Sequence, residues 1–543
     1  MFIKHILATT LIAGLYHPVA QAQTQQAQHD TRLPSQNTEQ AVRKLPARAS
    51  AASTASSKAR VQKFNIREQK FRQFSVKSDQ VPENQKGQLK FNAQGRAEVP
   101  FVAPNTIILQ FKKDVSEQQI AAFLAERKLV VVRTYPKIGA IQAEGDLSAY
   151  FKPELTDNNT NDALLRGLVT VIKDFKADPR IRNATPDLVL RDQTSHGSTG
   201  IQITNLLTPS DVVLSDPAAP TEVVDWGVTD IQADQLWSLP GAQDGVLFGV
   251  MDVGFARHED IVFLGFLPDT DVDDHGNHVA AIACGRHDNQ VGIKGVLPHC
   301  LVRARSGDVF FDSVEGGQVL DFLVLFSQVL ATLEKFVDSQ DDVGTFNVSL
   351  GYNWRSNFGI NPDLPESAQW RTLVASQGAF LVPLLELANQ NGRVIFSAAG
   401  NDSSGLVTPI GAKFASPFNW AAITAREKNI AANGVIVEAH DQDGNRAPFS
   451  NTGGHISCPG VNIFSAVAFD PQKQISTNAY GTMSGTSMAS PYCASGQALF
   501  KLVRPGYSGV EAVNCLTTSS DNSSSGAPML RLQQALASCP AKP

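Results

Sequence analysis

Gly481-Thr482-Met483-Ser484-Gly485-Thr486-Ser487-Met488-Ala489-Ser490-Pro491 sets a glycine-rich turn before a run that continues to Arg504 and stops at Pro505-Gly506. The run reads as a helix, ended where proline cannot continue it. Ser487 then falls at the helix N-terminus, where unpaired N–H groups and the dipole favour negative charge on a nearby oxygen. Pro491 lies just past the first turn, where a missing N–H costs less than in mid-helix. A serine at this place is equally a common helix N-cap. Alone, the stretch does not decide between nucleophile and cap.

Working outward, residues 246–251, 345–350 and 393–398 read as buried strands, and 318–339 and 381–390 as helices. Strands alternating with helices imply a parallel sheet covered on both faces, an α/β fold. The apolar run at 319–330 is broken by Asp321 and Gln328, so it reads as a core helix and not a membrane span. Open sheets of this kind bind ligands at the strand ends. Two further signals sit there. Asp252 ends a buried strand, where a carboxylate is costly unless something pairs with it. Orienting an imidazole is one such use, and capping the turn before Gly254 is another. His275-Gly276-Asn277-His278 follows Asp271, Asp273 and Asp274, and reads as a catalytic, structural or metal-binding pair. No third local ligand supports the metal.

Upstream, 106–111, 129–134, 138–144 and 188–190 read as strands, with helices from the Ser116–Gln119 capping box and over 162–175. That β-α-β-β-α-β order predicts a small α+β, ferredoxin-like domain at 104–192. A Ser/Thr/Pro/Asp-rich linker is expected at 193–221, and the back domain at 222–543. The Gln/Ala/Ser/Lys-rich tract at 23–103 holds few large apolar residues and is expected to be disordered. Lys4, the apolar run 6–15 and Ala20-Gln21-Ala22 read as an export signal at 1–22. A secreted or periplasmic destination follows.

The 543-residue chain has a net charge of -6, which gives no reason to expect nucleic acid. From Glu222 onward there are 18 basic and 32 acidic residues, against 28 and 20 before it. The two halves would attract one another. Six cysteines, all in the back half, suit disulfides in an oxidising compartment. Sequence order suggests Cys284–Cys300, Cys458–Cys493 and Cys515–Cys539, one of 15 pairings.

The segments around Asp252, His275 and Ser487 resemble the three signature blocks of the subtilases, the subtilisin-like serine peptidases, in the Asp…His…Ser order of that family. Ser397-Ala398-Ala399-Gly400-Asn401 is similar to the family's oxyanion-hole segment, and Asn347-Val348-Ser349-Leu350-Gly351 to its substrate-binding strand. The resemblance implies a subtilisin-like sheet preceded by an inhibitory propeptide domain. It implies Asp252, His275 and Ser487 as a triad, Asn401 in the oxyanion hole, and Ser349, Leu350, Gly351, Ser397, Ala398, Ala399 and Gly400 against substrate. The expected activity is endopeptidase cleavage of protein or peptide substrates by a monomer made as a self-inhibited, self-processed precursor. No cofactor is implied for the chemistry. Structural calcium is common in the family, and Asp271, Asp273 and Asp274 could contribute ligands or form a solvated loop. Departures are Asn277 for Thr, Ala281 for Gly, Tyr492-Cys493 for His-Val, and what looks like an insertion at 353–377. The alternative is an inactive binding protein on the same fold. An esterase is disfavoured, because Thr486-Ser487-Met488-Ala489 does not fit the G-x-S-x-G elbow.

Overall fold

A computed structural model describes residues 71–81, 91–154, 160–192, 212–214, 222–252, 255–265, 275–306, 324–338, 343–469, 476–521 and 526–542. The signal segment 1–22, the acidic residues 271–274 and most of the linker 193–221 lie outside them.

The front of the chain forms β1 (Arg72–Lys77), β2 (Arg96–Phe111), α1 (Glu117–Glu126), β3 (Val130–Tyr135), β4 (Ala140–Glu144), α2 (Thr160–Ala177) and β5 (Ile181–Asp192). Ser116 caps α1 as expected: its Oγ accepts from Gln119 N, and the Gln119 side chain accepts from Ser116 N. The antiparallel order β5-β2-β4-β3 is that of a split βαβ domain. One expectation is corrected: order does not begin at 104. β1 pairs with β2 along its length, and Phe74, Val76, Val99 and Phe101 are buried. These apolar residues stand at alternate positions in a polar tract, which is enough to bury one face of a strand.

The back of the chain continues with β6 (Val212–Leu214), α3 (Trp226–Asp230), β7 (Val246–Asp252), α4 (His275–Cys284), β8 (Cys300–Ser306), β9 (Val324–Leu325), α5 (Phe326–Asp338), β10 (Thr345–Val348), β11 (Leu350–Gly351), α6 (Trp354–Phe358) and α7 (Ala368–Gln390). It ends with β12 (Val394–Ala398), α8 (Pro417–Glu427), β13 (Gly434–His440), β14 (Ile456–Pro459), β15 (Ile463–Phe469), β16 (Ser476–Met483), α9 (Thr486–Val503), α10 (Gly509–Thr518) and α11 (Leu532–Ser538). Six strands in the order β14-β13-β12-β10-β7-β8 make one fully parallel sheet.

Two helix readings change. The helix expected at 318–339 is described from Phe326, preceded by β9, and 318–323 lie outside the described residues. The helix expected at 381–390 starts at Ala368 and runs through Pro383. Most of 353–377, read as an insertion, is therefore helical, and Trp354, Phe358, Trp370 and Leu373 are core residues. By length and composition α7 could cross a membrane, but over half of its apolar window is buried inside the fold.

All three disulfides pair in sequence order: Cys284–Cys300, Cys458–Cys493 and Cys515–Cys539.

Candidate active site

Parallel strands end on one edge of the sheet, and that edge receives the chemistry-bearing residues. β7 ends in Asp252 and α4 begins with His275. His275 Nδ1 and Asp252 Oδ1 share a hydrogen bond of 2.5 Å, with both side chains essentially inaccessible. The carboxylate can only accept, so Nδ1 carries the proton and Nε2 is left as the basic nitrogen of the neutral ring. Asn277 Oδ1 accepts from Ala256 N at 3.0 Å, tying the segment beyond β7 to the first turn of α4. The departure at position 277 thus does structural service.

Ser487 is the second residue of α9 and is fully buried in the first turn of that helix. α9 packs against α4 and crosses β10, β12, β13 and β14, four of the six strands of the parallel sheet. Thr345 Oγ1 donates to Gln497 Oε1 at 2.6 Å and pins α9 over β10. Asn347 Nδ2 donates to Ser349 Oγ at 2.9 Å, and Ser349 Oγ reaches the Ser487 carbonyl at 3.5 Å.

Asn401 follows β12. Its Oδ1 accepts from Thr486 N and from Thr486 Oγ1, both at 2.9 Å, which leaves the Nδ2 group as the donor end of the amide. Gly400 N donates to Thr486 Oγ1 at 3.1 Å. Asn419 Nδ2 donates to the carbonyls of Ala398, Ala399 and Ala412, while its Oδ1 accepts from Ser397 Oγ. Asn419 and Thr486 were not singled out in the sequence, because nothing local marks a buried amide that binds distant backbone.

The second histidine is not part of this arrangement. His278 Nε2 bonds to the Ile463 carbonyl at 2.9 Å, and burial pushes its pKa down to about 3, so it is a neutral core residue. Among the described residues, no group of three or more His, Cys, Asp or Glu side chains is placed to hold a metal ion. The other departures also have structural uses: Tyr492 OH donates to Asp225 Oδ1 at 2.6 Å, and Cys493 is disulfide-bonded to Cys458.

A strand of the front domain occupies the cleft beside these groups. β5 pairs antiparallel with β9 on one side (Val189↔Leu325, Leu190↔Val324) and with β11 on the other (Leu350↔Asp192, Gly351↔Arg191). Leu188, Val189 and Leu190 are buried there. β5 is thus an extended strand added between two short strands, the geometry of β-strand addition.

A model of the subtilase family matches residues 266–534. The chain is 26% identical over 302 residues to subtilisin Savinase of Lederbergia lenta, covering 54% of this chain and 90% of that one. It is 27% identical over 312 residues to subtilisin DY of Bacillus licheniformis, covering 55% and 93%. The match to the alkaline protease of Alkalihalobacillus alcalophilus, also 26% identical, spans only 63% of that protein's length. The fold resembles the crystal structure of fervidolysin from Fervidobacterium pennivorans, with a TM-score of 0.51 at 15% identity, over 89% of this chain and 65% of that one. Family model and relatives agree that residues 266–534, just under half of the chain, form a subtilase domain.

Proposed function

We propose that the chain is an exported serine endopeptidase, made as a self-inhibited precursor, with Asp252, His275 and Ser487 as its catalytic triad. The observation that carries this reading is the buried Asp252–His275 hydrogen bond at the strand edge where Asn401 is tied to the residue preceding Ser487. Ser487 Oγ attacks a peptide carbonyl while His275 Nε2 takes its proton, and the new O–C bond leaves an oxyanion. Asn401 Nδ2 and the Ser487 N–H bind that oxyanion. His275 returns the proton to the departing amine, and water then repeats the sequence on the acyl-enzyme. Asp252 holds the imidazole tautomer and stabilises its charged form. Ser349, Leu350 and Gly351 pair with the substrate backbone, and Ser397, Ala398, Ala399 and Gly400 wall the adjoining pocket.

Substrates are proteins or peptides, and the chemistry needs no cofactor. The ligands considered for a structural calcium, Asp271, Asp273 and Asp274, lie outside the described residues and enter no step. Three disulfides favour an oxidising compartment and support export.

The test is Ser487→Ala: hydrolysis of casein and labelling by a serine-directed organophosphate should both vanish, with a loss of about a million-fold in kcat. Appreciable turnover by this variant would overturn the assignment.

The front domain is its own inhibitor in this reading, because β5 lies where substrate would pair. Antiparallel pairing runs from Gly351 through Leu350 toward Ser349 as β5 runs from Arg191 to Asp192. Ser349 is also the residue that touches Ser487. Self-cleavage is therefore expected within the first few residues after Asp192, at the near edge of the 193–221 linker. N-terminal sequencing of the matured protein checks this, and Ser487→Ala should accumulate uncut precursor. Processing of Ser487→Ala at the wild-type rate would show that another peptidase does the cutting.

A further inference from the structure

The donor amide of the oxyanion hole is one residue on a turn, and a turn residue needs something to hold it. Gly400, just before Asn401, has a φ of +101°, in the region that only glycine enters without strain. A methyl group there would also collide with the Asn451 side chain and with Ala415 Cβ, so the close approach of Asn451 adds to the backbone's demand for glycine.

Asn451 is fully buried and grips both neighbours of Asn401. Its own N–H donates to the Gly400 carbonyl at 2.9 Å. Its Oδ1 accepts from Asp402 N at 3.0 Å and from Ser403 Oγ at 3.1 Å, and its Nδ2 lies 3.4 Å from Asp402 Oδ2. A second clamp comes from α6, immediately beyond the substrate-pairing strand β11. Arg355 N donates to Asp402 Oδ1 at 2.9 Å, and its guanidinium donates to the carbonyls of Asp402 and Ser404 at 2.8 and 2.5 Å. Asp402 is 2% exposed, and the Arg355 charge offsets part of the cost of burying its carboxylate.

We propose that Asn451, assisted by Arg355, is a positioning residue that aims the Asn401 amide at the developing oxyanion. This rests on the oxyanion role given to Asn401 above and extends it outward. The side chain that meets the reaction is held from one side by Thr486, in the turn that carries Ser487, and from the other by Asn451 and Arg355. Neither brace reaches the scissile bond. Their effect on the oxyanion passes through Asn401, while any effect of Asn451 on the pocket wall through Gly400 would appear in KM, and that makes the proposal separable from a general role in folding.

The experiment is a double-mutant cycle on the full, self-matured chain, with steady-state hydrolysis of a chromogenic peptide and enzyme concentration taken from organophosphate titration. Asn451→Ala should lower kcat about 10- to 100-fold, as expected for a misplaced transition-state donor, with KM changed by no more than about threefold. Arg355→Ala should lower kcat about 3- to 10-fold in the same pattern. In an Asn401→Ala background each should cost no more than about threefold further, because the group they aim is gone. If either brace variant costs as much without Asn401 as with it, the residue is merely structural and the proposal fails. Should Asn451→Ala not mature, Arg355→Ala carries the cycle by itself. An unchanged kcat in Asn401→Ala alone would instead remove the oxyanion role, and the proposal with it, so the two failures are told apart.

Discussion

The two faces of the central sheet are held by different means. On one face the core under α5, α7 and α8 is continuous with the core of the front domain: Phe74, Phe101, Leu168 and Leu190 belong to the same apolar cluster as Leu330, Phe358, Trp370 and Phe380. On the other face α4 and α9 build a separate core, and all three disulfides lie in or against it. The face that meets the front domain carries no disulfide among the described residues. The contrast is what the proposed function asks of a precursor. In that reading the seam forms during folding and comes apart after cleavage, which a joint of apolar contacts and hydrogen bonds without a disulfide allows. The far face holds the helices that begin with His275 and present Ser487, and it stays closed.

The strongest test of that contrast is the staple closest to the nucleophile. Cys458–Cys493 joins β14 to the second turn of α9 and closes a loop of 35 residues. Replacing both cysteines by alanine in the Ser487→Ala precursor should cost about 3–4 kcal/mol, from loop entropy restored to the unfolded chain. Denaturant unfolding with a reductant-free control measures it. A loss below 1 kcal/mol would mean that the far face is held by packing alone, and the comparison would break.

Next is the seam itself. Phe101 of β2 sits with ring centroids 5.3 Å from both Phe358 and Trp370, and Phe74 lies 5.0 Å from Trp370. Phe101→Ala should destabilise the same precursor by about 3 kcal/mol, at the lower end for a buried phenylalanine. The variant should also release the front domain sooner after cleavage, visible by gel filtration of the maturing protein. A variant that lost stability but released no faster would place Phe101 in the front domain's own core and not in the seam.

The residues proposed as catalytic stand out in the sequence because each lies in a short local context. Asp252 ends a strand, His275 opens a helix after an acidic run, and Ser487 follows a glycine turn, so neighbours in sequence supply most of the signal. The residues that hold them do not. Asn419 acts 20 residues beyond Ala399, and Asn451 acts 49 residues beyond Asp402. A polar residue that binds distant backbone carries no periodicity and no spacing. β1 was missed for a related reason: Phe74 and Val76 look sparse in a polar tract, and the rings that bury Phe74 lie nearly three hundred positions away. Tertiary contact, and not local composition, orders that strand. Half of the parallel sheet was readable, because β7, β10 and β12 run as apolar stretches covered on both faces, whereas β8, β13 and β14 carry Arg303, Arg305, Glu438, His440 and Ser457 and were not singled out. The length of α7 was not, since Pro383 stands inside a helix whose neighbours Leu381, Leu384 and Leu385 stay buried.

The seam should also respond to pH, in a direction that one carboxyl sets. Asp187 of β5 is fully buried; its Oδ1 accepts from Ser327 N at the start of α5, and its Oδ2 from Gln142 Nε2 at 3.2 Å. Burial pushes its pKa up from 3.8 to about 6, with the Ser327 hydrogen bond and Arg133 only partly opposing the shift. Tyr135 and Tyr352 also face it and stay neutral, and Glu334 on α5, itself raised by burial, adds no cation. Gln142 Oε1 is buried without a partner, and turning that amide would let it accept a hydrogen bond from the O–H of neutral Asp187. A group whose pKa is raised on docking contributes stability that is complete below its undocked pKa and is lost as pH rises through its docked one. The seam is therefore firmest below about pH 4 and loosens by up to about 2–3 kcal/mol by pH 7. Asp187→Asn keeps an acceptor for Ser327 N, offers a donor to Gln142 Oε1 and cannot ionise. In the Ser487→Ala precursor it should match wild type near pH 4 and be the more stable protein at pH 7, read from denaturant midpoints across that window. If the stability difference between the two proteins is flat with pH, Asp187 does not change its charge on docking, and the seam owes none of its pH response to this carboxyl.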